Sequence, residues 1–208
     1  MDWIPTADAK KARCEGQHGD LDERATVRQG NAAYAAALAL LMAGDGEAAE
    51  WFGRAAARWR ESWSGGESWG RPIGALKASL LARDDAAVKV FAVWTLELGT
   101  ATAESPVGRY AATLALLSLE RWTEAVHSAG SLRDRDDFPR DVADALACIA
   151  AHDFVGYAQA VESVVDSFVT REEYLEDMPV ADTALVLQEL ARRRGLVHTL
   201  AASPVLPV

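Results

Sequence analysis

Apolar residues recur along this chain at helical intervals, and the intervals themselves repeat. Ala48, Phe52, Ala55 and Trp59 fall at i, i+4, i+7 and i+11, the spacing that puts side chains on one face of an α-helix. Ala87, Phe91, Trp94 and Leu98 take the same offsets, as do Tyr157, Val161, Val164 and Phe168, while Ala125, Ala129 and Leu132 repeat the first three. Each stripe is preceded by another: Tyr34, Leu38 and Leu41; Ile73, Leu76 and Leu80; Tyr110, Leu114 and Leu117; Val142, Leu146 and Ile149. The last residue of each leading stripe stands seven or eight positions before the stripe that follows. A gap that short holds only a tight turn, so each pair predicts an antiparallel helical hairpin.

Turn and cap residues fall where the hairpins need them. Gly44-Asp45, Asp84 and His152-Asp153 sit in the gaps, and an Asp there can accept an orphan backbone N–H of the following helix. Ser105-Pro106 reads as an N-cap followed by proline in the first helical position, and Pro139 and Pro179 open helices in the same way. Segments 62–71, 99–104 and 131–137 read as loops between hairpins. No run alternates apolar and polar residues convincingly, so no strand is expected.

The repeat is roughly 32 to 39 residues long, close to the roughly 34 of tetratricopeptide-type hairpins. The small–large–small stripe Ala48, Phe52, Ala55 also resembles the second helix of that repeat. The expected fold is all-α: about four antiparallel helical hairpins stacked as a tetratricopeptide-like α-α superhelix in one domain spanning residues 1–208. A last helix from about Pro179 to Arg194 caps it, with Gly195 at its end and Arg192, Arg193 and Arg194 at the negative end of its dipole. The first 20 residues contain Gly16 and Gly19 and are expected to be flexible; the tail after Gly195 is expected to be extended over the last helices.

Composition narrows the function classes. Half of the 208 residues are apolar, enough for a sizeable core. Alanine makes up about a fifth of the chain, which favours helices and close helix packing. The net charge of −10 disfavours polyanionic partners, both nucleic acid and anionic membrane, and would suit a basic protein. Cys14 and Cys148 form no CxxC pair and too few for a disulfide framework. No basic segment leads into an apolar run at Met1–Pro5, and no stretch approaches the roughly 18 apolar residues of a membrane span, so the expected location is the cytoplasm.

Candidate chemistry is sparse. Cys14-x-x-x-His18 with Asp20, Asp22 and Glu23 has polar ligand types, but Gly16 and Gly19 break the helix that would align them and no second pair completes a zinc set. His127, His152 and His198 are isolated from any sequence-level nucleophile or orienting carboxylate. No phosphate-cradling, dinucleotide or HExxH motif occurs. No catalytic residue, metal or cofactor is therefore expected. Two segments suit a protein partner. Trp63 and Trp69 flank glycines and serines in a loop, a mix that combines aromatic anchors with adaptable hydrogen bonding; the competing reading folds both rings back over helix ends. Glu172, Glu173, Glu176 and Asp177 form an acidic run that could meet a basic surface or be simply solvated.

Three segments resemble the bacterial immunity protein 49 family of polymorphic toxin systems: Gly44 to Ala57, Ala151 to Val161, and Thr183 to Leu196 followed by Ser203-Pro-Val-Leu-Pro207. A hairpin, a helix ending in an Arg-rich Gly-Leu, and a Pro-Leu-Pro-like tail follow in the same order, and the resemblance spans about residues 30–207. It implies an all-helical, non-catalytic protein that binds a toxin in the cytoplasm of the producing cell, and carries over no site residue. A generic adaptor holding a peptide in the groove of the stack is the alternative; an enzyme assembled from distant residues is a third. Exposed stripe residues would equally serve a homodimer.

Overall fold

The computed structural model describes residues 1–16 and 22–207. Among the described residues ten α-helices follow one another: α1 (Trp3–Glu15), α2 (Glu23–Met42), α3 (Ala48–Glu61), α4 (Gly70–Leu81), α5 (Asp85–Glu97), α6 (Pro106–Ser118), α7 (Trp122–Arg133), α8 (Arg140–Ala151), α9 (Phe154–Val169) and α10 (Asp182–Arg193). Short 3-10 turns lie at Thr100–Thr102 and Leu175–Asp177, and there is no strand among the described residues. The pairs α2/α3, α4/α5, α6/α7 and α8/α9 are the four expected hairpins, and each helix packs on the next. Helix α4 also touches α6, and α6 touches α8, so the leading helices form the inner layer of the stack and the following helices the outer one.

All four hairpins turn in the same way. Asp45 N–H donates to Leu40 O, Asp84 to Ser79 O, Arg121 to Leu116 O, and Asp153 to Cys148 O, the six-residue closure that satisfies orphan carbonyls at a helix end. The residue before each donor is left-handed: Gly44, Arg83, Glu120 and His152, with φ of 70°, 54°, 58° and 60°. Only the first turn uses glycine, which is why the other three are poorly marked in the sequence. Asp84, Ser105 and Asp153 then cap the next helix through their side chains. Pro106 occupies the first helical position. Pro139 instead stands at the N-cap of α8, and Pro179 lies three residues ahead of α10.

The stripes form the core. Phe52, Ala55, Leu76, Leu114, Leu132, Leu146, Tyr157 and Val161 are fully buried, each large apolar side chain contributing about 1.5–3 kcal/mol on burial. Trp59 shows how tightly the repeats approach. A Cβ on Gly30 would stand 2.9 Å from one end of its indole, and a Cβ on Gly74 2.8 Å from the other. Glycine at both positions lets α2 and α4 close on the ring, whose Nε1 donates to Asn31 Oδ1 at 3.1 Å.

The N-terminal segment departs from expectation: residues 3–15 are helix α1, packed against α2. Its buried positions are only Ala7 and Cys14, seven apart and small, so the stripe is nearly silent in the sequence. Ion pairs hold it in place: Lys11 to Glu47 at 2.7 Å, Arg54 to Glu15 at 3.2 Å, and Lys10 and Arg13 to Glu176 at 3.3 and 2.6 Å.

The closing helix α10 packs against α8 and α9 and also reaches α4. Its leading edge is fastened by Lys77 to Asp182, its trailing edge by Asp85 to Arg193. Between them Glu189, 5% exposed, is shared by Arg192, Arg193 and Arg83 at 2.7, 3.1 and 3.5 Å. The tail returns over the same helix, Ala181 N–H donating to Val205 O at 2.8 Å. No described helix is long and apolar enough to cross a membrane.

Candidate partner-binding site

A cavity of about 600 Å³ opens where α2, α4, the tryptophan loop, the start of α6 and the segment leading into α10 meet. That volume lies within the range of ligand pockets. Its walls are largely apolar: Val27 and Tyr34 from α2, Trp59 from α3, Trp69 from the loop, Ile73 from α4, Val107 from α6, and Leu175.

Three residues far apart in sequence meet at its floor. Lys77 Nζ lies 2.6 Å from Asp182 Oδ2, with only 12% and 16% of the two side chains exposed. Tyr34 OH donates to the same carboxylate at 2.8 Å, and Lys77 also donates to Thr183 Oγ1 at 3.1 Å. Burial by itself would raise the Asp182 pKa. The Lys77 charge and the hydrogen bonds from Lys77, Tyr34 and Thr183 outweigh it and hold the carboxyl below the usual aspartate range. Burial, reinforced by the Asp182 charge, pushes the Tyr34 hydroxyl well above its ordinary value. The floor is thus a carboxylate, an ammonium and a neutral phenol, locked together.

On the same lining, Arg71 donates to Ser62 O at 2.6 Å and pairs with Glu23. Glu23 also accepts from Ser64 Oγ at 2.5 Å, and these bonds, Ser64 first and Arg71 next, lower its pKa. Glu67, also on the lining, is exposed and makes no ion pair among the described residues.

The sequence candidates fall on this site unequally. Trp69 is buried and lines the cavity; its ring stacks on Trp63 with centroids 6.0 Å apart, and Trp63 meets Trp94 edge to face. The two rings therefore fold back over helix ends and shape the wall instead of projecting as free anchors. The Trp69 indole N–H is buried without an acceptor among the described residues. In the acidic run Glu172, Glu173 and Asp177 are exposed. Glu176 is not: its side chain is 10% exposed and clamps Lys10 and Arg13 of α1, so it is a tie between the two ends of the chain and is withdrawn from partner contact. Leu175, between these residues, lines the cavity. The segment that carries the acidic run, about 100 residues from the tryptophan loop in the sequence, thus reaches the same cavity through Leu175, while none of its acidic side chains lines it.

Tyr34, Lys77 and Asp182 escaped the sequence reading as a group. Tyr34 reads as core, and nothing in the sequence singles out Asp182. The one available signal was Lys77, a charge set among Ile73, Leu76 and Leu80 on an apolar helix. Among the remaining candidates, Cys14 is buried and its thiol pKa raised by burial, while His18 and Asp20 lie outside the described residues. His127 and His152 are exposed, and His198 pairs with Glu162 at 2.8 Å on the far side of α10. Among the described residues no group of three or more His, Cys, Asp or Glu is placed to hold a metal ion. Comparison with protein families, with curated proteins and with solved structures finds no match in any of the three.

Proposed function

We propose that this chain is a non-catalytic immunity protein that neutralises a cognate toxin by direct binding, with the cavity mouth and the acidic loop as its contact face. The observation that carries the reading is a preformed, apolar-walled cavity in a helical stack, with the exposed Glu67 on its lining and Leu175, from the segment bearing the exposed Glu172, Glu173 and Asp177, completing its wall. An apolar centre with a polar rim is the anatomy of a protein interface, and the net charge of −10 suits a basic partner. The floor supports binding over catalysis: its carboxylate, ammonium and phenol are already bonded to one another. The resemblance of segments 44–57, 151–161 and 183–196 with 203–207 to immunity proteins points the same way. A peptide adaptor gains less support, because α10 already lies against the inner helices α4 and α8 where such a peptide would sit.

The test is co-expression with the product of the adjacent gene. A neighbour that is toxic alone, tolerated with this chain and co-purified with it supports the reading. A harmless neighbour that forms no complex sinks it.

A further inference from the structure

We infer that helix α1 is a latch on the cavity wall: Lys10 and Arg13 hold residues 174–178 as a strained strap, and release of α1 lets the strap carry Leu175 out of the lining. This coupling is a property of the chain itself and does not rest on the identity of a partner.

The strap is strained where it is clamped. Glu176 and Asp177, neither of them glycine, stand in succession in the left-handed region at φ 57° and 59°. Such residues persist only where their surroundings over-determine them. Two backbone bonds close the turn itself, Asp177 N–H to Tyr174 O at 3.1 Å and Met178 N–H to Leu175 O at 3.2 Å, and the strap also rests against α2. Further restraint comes from α1. Lys10 Nζ donates to the Glu176 backbone O at 2.7 Å and to its carboxylate at 3.3 Å, and Arg13 donates to both carboxylate oxygens at 2.6 and 3.2 Å. Two cations one turn apart on one helix thus fix both the peptide and the side chain of the strained residue.

The strap is anchored at its ends and less so in the middle. Tyr174 OH donates to Phe168 O, and Met178 and Val180 are buried. Leu175, next to the clamped residue, is 57% exposed and lines the cavity. A change of φ at Glu176 therefore turns Leu175 while the two ends stay in place. Helix α1 has little packing to keep it closed, since its buried positions are only Ala7 and Cys14. By linkage, whatever draws α1 away loosens Leu175, and whatever packs on Leu175 in the lining tightens α1.

Hydrogen exchange at the Asp177 and Met178 amides, with the methyl resonances of Leu175 and Val107, tests the latch on the full chain. Lys10→Met/Arg13→Met keeps much of each apolar stem and removes both clamps. It is expected to quicken exchange at the two amides by about tenfold, the equivalent of two partly exposed ionic contacts. The Leu175 and Val107 methyls should shift while the amides of α4 and α8 keep their protection. Lys89→Met removes an exposed cation of α5 that makes no ion pair among the described residues; it is the control and is expected to change neither readout. Should the double variant lose protection in α4 and α8 as well, Arg13→Met alone, at a side chain 48% exposed, is expected to quicken the two amides by about threefold with the core intact. Strap exchange within about 1.5-fold of the native rate, or unmoved Leu175 methyls, in whichever variant keeps its core overturns the latch.

Discussion

Replacing Asp182 with alanine is the sharpest test of how the closing helix is held. In the native chain its carboxylate is held by Lys77 at 2.6 Å and by the Tyr34 hydroxyl at 2.8 Å. Asp182→Ala leaves the Lys77 ammonium with only Thr183 Oγ1 at 3.1 Å and the Tyr34 hydroxyl without its acceptor. Breaking one side of a fully buried ion pair costs about 3–5 kcal/mol. Here 12% and 16% of the side chains stay exposed beside a cavity, so water can reach the stranded ammonium and the cost falls to about 2–4 kcal/mol. At about 2–4 °C per kcal/mol for a chain of this size, Tm drops by about 4–16 °C. Lys77→Met in the same background removes the stranded charge. The double variant should then be less destabilised than the sum of the two single variants by at least about 1.5 kcal/mol. Urea denaturation followed by circular dichroism measures all four corners of the cycle. Additivity within about 0.5 kcal/mol would refute the reading, because Lys77 and Asp182 would then not be stabilising each other.

The same pair sets a pH dependence. The folded-state pKa of Asp182 lies below its ordinary value. Its contribution is therefore complete above the unfolded pKa of about 3.9 and is lost as pH falls through the lower folded-state value. Lys77→Met removes the strongest influence lowering that pKa, so the variant should lose its remaining stability at a higher pH than the native chain.

Other consequences are open to direct measurement. Glu120 sits in the left-handed region with φ 58°, so Glu120→Gly should stabilise the third hairpin by about 1 kcal/mol, seen as a higher urea midpoint with unchanged slope. Gly74→Ala would put a Cβ 2.8 Å from the Trp59 ring; overpacking of about 1–3 kcal/mol should exceed the helix-propensity gain of about 1 kcal/mol, and thermal denaturation would show a lower Tm. Glu176→Gln weakens the bonds to Lys10 and Arg13. At about 1 kcal/mol for a partly exposed ionic contact, alkylation of buried Cys14 under native conditions should quicken by about fivefold as α1 opens more often.

Helical periodicity, read without any structure, was enough to place four hairpins and a closing helix. Seven of the eight hairpin segments carry at least two large residues at helical spacing, and a short gap between two stripes leaves the chain only one way to turn. Helix α1 lacked that signal, because Ala7 and Cys14 are too small to mark a face and the ion pairs that hold it come from α3 and from residues near 47 and 176. Likewise the three left-handed turns at Arg83, Glu120 and His152 follow from packing of the helices they join, since nothing in those side chains asks for φ above zero. The site belongs to tertiary structure almost wholly. Tyr34, Lys77 and Asp182 stand on three helices and meet only because α10 folds back to α4, and the burial that raises the Tyr34 pKa exists only once it has. Local pattern fixes which face of a helix is apolar. Which faces meet, and which charges they trap between them, is decided by how the helices stack.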